Sequence, residues 1–412
     1  MSLFWQVQEQ IRHSAGYLAD KFPERLLAHL LTHRNIIEAN VTINMDDGTE
    51  RTFQGWRCQH VDVKGPFKGG IRYHPQVSLD EVKSLSAWMS FKTAVVDLPL
   101  GWGKGWIIVD PKTLSRAELE RLSRGYIQQI RKHIWPTKDV PAPDVNTNGM
   151  IMGWMVDEFA TCTGQWQPGV ITGKPLSIWG SKGRDIATSR GGMYVLEQFL
   201  WYTKESLAGK TIVIQWAGNA GLNFALLACE AGAIVTAISD SQGAIYKATW
   251  LDVKKIMEIK AQNKSVITCE GADVITEQEL FALPCHVLVP AALESQITES
   301  NAPMVQAKVI LELANGPTTP AADKILTSKD IIVLPDILAN AGGVTVSYFE
   351  QVQNNTNYYR SKQEVFDRLH LIMCDATDAL HGKVQQHTVS RRDAAYIVAI
   401  ERLLQAMQDR GR

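Results

Sequence analysis

The sequence predicts an α/β protein of two domains: an N-terminal α/β domain and an open, doubly wound sheet. Three observations carry this expectation. A chain of 412 residues exceeds what one hydrophobic core usually fills. Residues 211–241 read as strand, glycine turn, helix, strand and terminal acid. From there to about residue 336 strands keep alternating with helices, as parallel sheets with crossover helices require.

The 211–241 stretch, TIVIQWAGNAGLNFALLACEAGAIVTAISDS, organises the rest. Thr211–Gln215 is a short β-branched apolar run of the kind buried on both faces of a sheet. The turn Trp216-Ala-Gly-Asn-Ala-Gly221 follows, then the apolar helical stretch Leu222–Ala231, which Gly232 is placed to end. Ala233–Ser239 is a second strand closing on Asp240, 22 residues after Gly218. This is the mononucleotide-binding half of a Rossmann fold, with Trp216 where the first fingerprint glycine would stand. Pyrophosphate is expected on the helix N-terminus at Gly218, Asn219, Ala220 and Gly221, and the adenosine ribose on Asp240.

Taken in order, residues 1–40 show helical spacing, and Asp46-Asp47-Gly48 is a turn with strands expected at Ala39–Asn44 and Arg51–Val61. Gly65-Pro-Phe-Lys-Gly-Gly-Ile-Arg72 reads as a glycine-rich loop holding one lysine. Ser78-Leu-Asp-Glu81 is a capping box opening a helix whose apolar stripe is Val82, Leu85, Met89 and Val96. Lys92 falls on that stripe, where spacing alone favours a lysine snorkelling to the surface. In Leu98–Trp106, Gly101, Gly103 and Gly105 alternate with Trp102, Lys104 and Trp106, so an extended backbone puts both indoles and the ammonium on one face. Two prolines force an extended path from Asp139 to Asp144, and Asn146, Thr147 and Asn148 are candidate caps for a helix at Met150–Ala160. Gly173–Arg184 is rich in turn formers and marks the domain boundary, with a helix from about Asp185 to Tyr202 beyond it. Later strands are expected at Ala272–Ile275, His286–Val289, Val309–Leu313 and Ile331–Leu334, and two long helices at Lys362–Leu380 and Ser390–Met407. The expected layout is one domain at 1–180, with helices of 337–412 packing back on it, and the Rossmann domain at 203–336.

Composition narrows the function. With 42 basic and 43 acidic side chains and no long run of either sign, nucleic acid and anionic membranes are unexpected partners. No apolar run is long enough to span a bilayer, and the N-terminus lacks a signal pattern. The six cysteines are scattered, without CxxC or HExxH spacing, so reduced thiols, a cytoplasmic location and no metal site are expected.

Five segments, GPFKGGIRYHP (65–75), FKTAVVDLPLGWGKGW (91–106), TKDVPAPD (137–144), ANGPTTP (314–320) and PDILANAGGVTVSYFE (335–350), together resemble the glutamate dehydrogenases of the Glu/Leu/Phe/Val amino-acid dehydrogenase family. The resemblance covers about residues 20–410. It implies an N-terminal substrate and oligomerisation domain, and one cleft lined by Lys68, Lys92, Lys104, Asp144 and Ser347. Lys92 would pair with the substrate α-carboxylate, replacing the snorkelling reading. Lys68 and Ser347 would hold a side-chain carboxylate, with Gly69 and Asn340 also on the substrate side. Lys104 and Asp144 would be catalytic. Thr188, Asn219, Asp240 and Asn315 would contact the cofactor, NAD or NADP, and Asp240 favours NAD because an acid repels a 2′-phosphate. The implied activity is reversible oxidative deamination of L-glutamate by a hexamer. Members of the family usually carry glycine at the positions of Trp102, Trp106, Trp179 and Trp216, and commonly at Ser189. These replacements leave a second reading open: a catalytically silent paralogue serving as regulatory subunit of a hetero-oligomer, or as a small-molecule sensor.

Overall fold

The structure is a computed structural model that describes residues 3–411. In chain order it forms α1 (Leu3–Gly16), β1 (Asn35–Asn44), β2 (Glu50–Gln59), β3 (Phe67–Tyr73), α2 (Leu79–Val95), β4 (Gly103–Ile107), α3 (Arg116–Ile130), β5 (Asp139–Pro143) and α4 (Gly149–Thr163). There follow α5 (Ala187–Tyr202), β6 (Thr211–Gln215), α6 (Asn219–Glu230), β7 (Ile234–Asp240), β8 (Gly243–Tyr246), α7 (Val253–Ala261), β9 (Asp273–Ile275), α8 (Glu277–Ala282), β10 (Cys285–Pro290) and β11 (Ala307–Leu311). The chain closes with α9 (Pro320–Ser328), β12 (Ile332–Leu334), α10 (Asp336–Ala339), α11 (Gly342–Thr356), α12 (Lys362–His387) and α13 (Arg391–Asp409).

Two compact units result. The first takes the chain up to Arg184, Val344–Val365 and the chain from Tyr396; the second takes Asp185–Gly343 and Phe366–Ala395. The first unit holds a mixed sheet of order β1-β2-β4-β3-β5. β1, β2 and β4 run antiparallel in turn, and β3 lies parallel to both β4 and β5. Val41, Phe53, Ile71, Tyr126 and Met155 belong to a core shared with α3 and α4, while Cys58, Val77, Val82 and Trp106 form a smaller cluster involving α2. The segment read as a glycine-rich loop at 65–72 is strand β3 in its larger part. Its glycines permit unusually close pairing: a Cβ on Gly69 would lie 1.6 Å from the carbonyl oxygen of Gly103. The proline-rich path to Asp144 is β5, at the sheet edge, where missing N–H groups are tolerated. Lys92 does not snorkel; only 7% of it is exposed.

The second unit holds a seven-stranded sheet of order β12-β11-β10-β6-β7-β8-β9. β12 through β7 are parallel, and β8 runs antiparallel to both β7 and β9. The strand order reverses direction at β6, the switch point where α/β sheets bind ligands. Gly232 ends α6 as expected, at φ +85°.

The layout differs from expectation: α5 belongs to the Rossmann unit rather than preceding it, and so do α10, most of α12 and the start of α13. Side-chain bonds explain this: Gln198 and Tyr202 of α5 both donate to Asp378 Oδ1, at 2.6 and 2.7 Å, and Tyr202 stacks on His381 at 3.8 Å. At the start of α13, Arg392 forks onto Glu312 (2.8 and 3.0 Å) and Asp323 (3.2 Å from each of two nitrogens). The C-terminal helices therefore divide between the units.

Candidate active site

Lys104 stands on the buried strand β4, and its ammonium is ion-paired with Asp144 Oδ2. Three bonds fix the Asp144 loop: Asp144 N donates to Thr147 Oγ1 (2.8 Å), Thr147 Oγ1 donates to Ile71 O (2.8 Å), and Asn146 Nδ2 donates to Tyr73 O (2.9 Å). Of the three candidate caps it is Asn148 that caps α4, accepting from Ile151 N at 3.2 Å. Gly70 is required beside this loop, because a Cβ there would lie 2.6 Å from the Asp144 carboxylate. Arg72, which sequence reasoning did not single out, donates from Nε to Asp144 Oδ1 at 3.0 Å. Its guanidinium lies over the Trp106 ring, 5.3 Å from the centroid.

The electrostatics suit proton transfer. Burial lowers the Lys104 ammonium below the ordinary lysine range, with Asp144 opposing and Arg72 adding to the shift. Burial works to raise the Asp144 carboxyl, but Lys104 and Arg72 outweigh it and hold the group well below its usual value. An ionised carboxylate beside an easily deprotonated lysine can pass a proton either way.

A second cluster lies in the same unit. Lys68 of β3 is fully buried and donates to Thr172 Oγ1 at 2.5 Å, and Thr172 is 2.8 Å from Ser347 Oγ on α11. The structure thus joins the predicted Lys68 and Ser347 through Thr172, a residue missed by the sequence reading. A buried ion pair holds the Thr172 segment: Glu350 accepts from Lys174 Nζ (2.7 Å) and from the Gly173 and Lys174 amides (2.8 and 3.3 Å). Beneath it, Arg57 and Asp139 pair with both side chains fully buried. Arg57 Nη1 also donates to Gly69 O at 2.9 Å, fixing the residue next to Lys68.

Burial pushes Lys68 down to about 7; Glu350 opposes this and Arg184 adds to it. A dicarboxylate pairs with the ammonium form, so its binding is strongest below that pKa and weakens as pH rises through it. The dissociation constant of glutarate, an unreactive dicarboxylate, should rise about tenfold per pH unit above 7 until the raised pKa of the bound form is reached. Titration calorimetry from pH 6 to 9 checks this. Lys68→Met should bind weakly and without that slope.

The residues expected to meet the cofactor all fall in the second unit. The N-terminus of α6 is where the pyrophosphate is expected, and its N-cap, Gly218, supplies no side-chain cap to the first helical amides. Asn219 Nδ2 donates to Asp185 O at 2.7 Å, Thr188 sits half-buried in the first turn of α5, and Asn315 lies past the C-terminal end of β11. Asn340 also belongs to the second unit, donating to Ala314 O (2.9 Å) and Asn315 Oδ1 (3.1 Å).

Asp240 departs from expectation. Its carboxylate accepts from Lys260 Nζ (2.7 Å), Val266 N (2.9 Å), Ser265 Oγ (2.8 Å) and Gln242 N (3.0 Å), which fills its acceptor sites. It pins β7 to the segment after α7 rather than presenting a bare acid to a ribose. Lys260 neutralises it, so the argument from Asp240 against a 2′-phosphate loses its basis.

The tryptophans separate into two kinds. Trp102 and Trp106 are 4% and 0% exposed, and neither indole N–H has a partner among the described residues. Trp179 and Trp216 are partly exposed and sit at φ +71° and +86°, where glycine is ordinarily needed. Holding a side chain in that region costs on the order of 1–3 kcal/mol. Trp179 stacks near Tyr359, 4.7 Å between centroids, and Ser189 Oγ donates to Ala220 O at 2.8 Å.

A chain carrying both a helix N-terminus without a side-chain cap at a parallel-sheet switch point and a buried lysine paired with a partly buried carboxylate has the equipment of a dinucleotide-dependent dehydrogenase. Comparison with known proteins agrees. Residues 33–161 match the family profile described as Glu/Leu/Phe/Val dehydrogenase, dimerisation domain, and residues 180–411 match Glutamate/Leucine/Phenylalanine/Valine dehydrogenase. The chain belongs to this family. It is 44% identical to the NADP-specific glutamate dehydrogenase of Synechocystis sp., over all of this chain and 97% of that one. It is 43% identical to the catabolic NAD-specific glutamate dehydrogenase of Bacillus subtilis, over all of this chain and 96% of the other. Among solved structures, the hetero-hexameric glutamate dehydrogenase of Thermus thermophilus superposes with a TM-score of 0.93 at 34% identity, covering 100% of this chain and 97% of that one. The Peptoniphilus asaccharolyticus glutamate dehydrogenase gives 0.89 at 38%, covering 99% of each.

Proposed function

We propose that the chain catalyses the reversible oxidative deamination of L-glutamate to 2-oxoglutarate and ammonia with NAD or NADP. The observation that carries this reading is the pairing of the buried Lys104 with the partly buried Asp144, which Arg72 also holds, in a member of this family. Lys92 binds the substrate α-carboxylate, and Lys68, Thr172 and Ser347 receive the side-chain carboxylate. The nicotinamide ring, when bound, supplies the hydride acceptor. Lys104 polarises the reacting centre and activates the water that attacks the iminium carbon, while Asp144 moves protons to and from the nitrogen. Gly218, Asn219, Ala220 and Gly221 carry the pyrophosphate on α6, with Thr188 and Asn315 nearby on the same unit.

A hexamer is supported by the likeness to the Thermus thermophilus assembly, and a cytoplasmic location by the six free cysteines. The silent-paralogue reading gains nothing from the Lys104–Asp144 pair or from the Lys68–Thr172–Ser347 chain, which a protein freed from catalysis would have no reason to keep buried. Parallel assays with glutamate, leucine and phenylalanine test the reading. Glutamate should be preferred by at least about 100-fold in kcat/KM, since a buried lysine left unpaired by an apolar side chain is strongly unfavourable. A preference for leucine would overturn it.

A further inference from the structure

We infer that the indole of Trp216 lies where the dinucleotide's pyrophosphate must go, so that cofactor and ring compete for one place. In a Rossmann turn the second fingerprint glycine lacks a side chain so that the pyrophosphate can approach the backbone. The direction its Cβ would take is therefore the direction from which the ligand comes. Here that glycine is Gly218, and a Cβ built on it would lie 2.8 Å from both Cδ1 and Nε1 of Trp216. The ring thus stands beside the residue that leaves the first amides of α6 without a side-chain cap.

The backbone fixes where the ring begins. Trp216 N donates to Ser239 Oγ at 3.0 Å and Ala217 N to Ser239 O at 2.6 Å, tying the turn to β7 while φ stands at +86°. Gly221 allows no retreat of the turn toward the helix, because a Cβ there would already be 2.1 Å from Trp216 O. The side chain itself is 36% exposed and can swing outward without disturbing a packed core. Binding therefore requires the ring to leave, and the turn is a determinant of cofactor affinity. The inference rests on the dinucleotide reading above.

The test is calorimetric titration of the purified protein, in its native assembly, with NADH and NADPH. Trp216→Gly removes the ring and relieves the backbone; Trp216→Ala removes the ring and leaves the unfavourable φ. Both variants should bind their preferred dinucleotide at least about tenfold more tightly than the parent, with Trp216→Gly melting at the higher temperature of the two. Equal or weaker binding by both variants overturns the inference while leaving the dinucleotide reading intact. Absence of binding by the parent and both variants, all folded, overturns the dinucleotide reading and the inference with it.

Discussion

Lys104→Ala should lower turnover by at least about 10³-fold, within the range that positioned acid–base groups contribute. The substitution removes the group proposed to polarise the reacting carbon. Arg72 remains bonded to Asp144 and stays over the Trp106 ring. Asp144→Asn should be comparably slow, since the amide can neither accept the proton nor hold Lys104 by charge. Because Arg72 still pairs with Asp144 in Lys104→Ala, no buried carboxylate is orphaned, and the fold should persist. Circular dichroism and a melting curve close to those of the parent, alongside the lost rate, are the expected result. Near-normal turnover in either variant would remove that residue from the mechanism.

The largest effect on stability is expected at a pair that does no chemistry. Arg57 and Asp139 are both fully buried; Arg57 reaches both carboxylate oxygens (2.5 and 2.9 Å), and Gln59 adds a third bond at 2.8 Å. Removing one partner leaves the other as an uncompensated buried charge, at a cost of about 3–5 kcal/mol. That is a large share of the roughly 5–15 kcal/mol that separates folded from unfolded chains. Arg57→Met should therefore lower the melting temperature sharply at fixed protein concentration. Replacing both partners, Arg57→Met with Asp139→Leu, should recover part of the loss because no bare charge remains. A single variant that melts like the parent would show that the pair does not secure the sheet.

What the sequence disclosed, and what it withheld, follows from the range of each signal. The Rossmann half was legible because its determinants are local: a β-branched run, a glycine turn, an apolar helix and a glycine at its end. Lys104 and Asp144 stood out because glycines and prolines flank them. Thr172 had no such flag; it joins the site only through Lys68, 104 positions away, and Ser347, 175 positions away. The same holds for Arg57 with Asp139 and for Lys174 with Glu350, separated by 82 and 176 positions. β3 was misread in part because glycine is depleted in ordinary strands, whereas here close backbone pairing selects it. The snorkelling expectation for Lys92 used the helix's own spacing and had no knowledge of what covers that turn. Asp240 was legible as an acid at a strand end, but three of its four donors, on Lys260, Ser265 and Val266, come from a segment whose approach no local pattern announces.

The division of α13 between the units bears on synthesis. The last turn of α2, the helix that carries Lys92, leaves its terminal carbonyls to Arg402, whose Nη1 donates to Ala94 O and Val95 O at 3.1 and 2.6 Å. Phe91 packs against Tyr396 with 5.5 Å between ring centroids. The strands of the first unit emerge from the ribosome early, yet this helix end waits some 300 residues for its cover. Until then the nascent chain lacks the cover of Tyr396 over Phe91 and the Arg402 donor to Val95 O, while the whole Rossmann sheet is made in the interval. A polypeptide interrupted near residue 390 would hold every residue assigned to the chemistry and still lack the contacts that finish the helix bearing one of them.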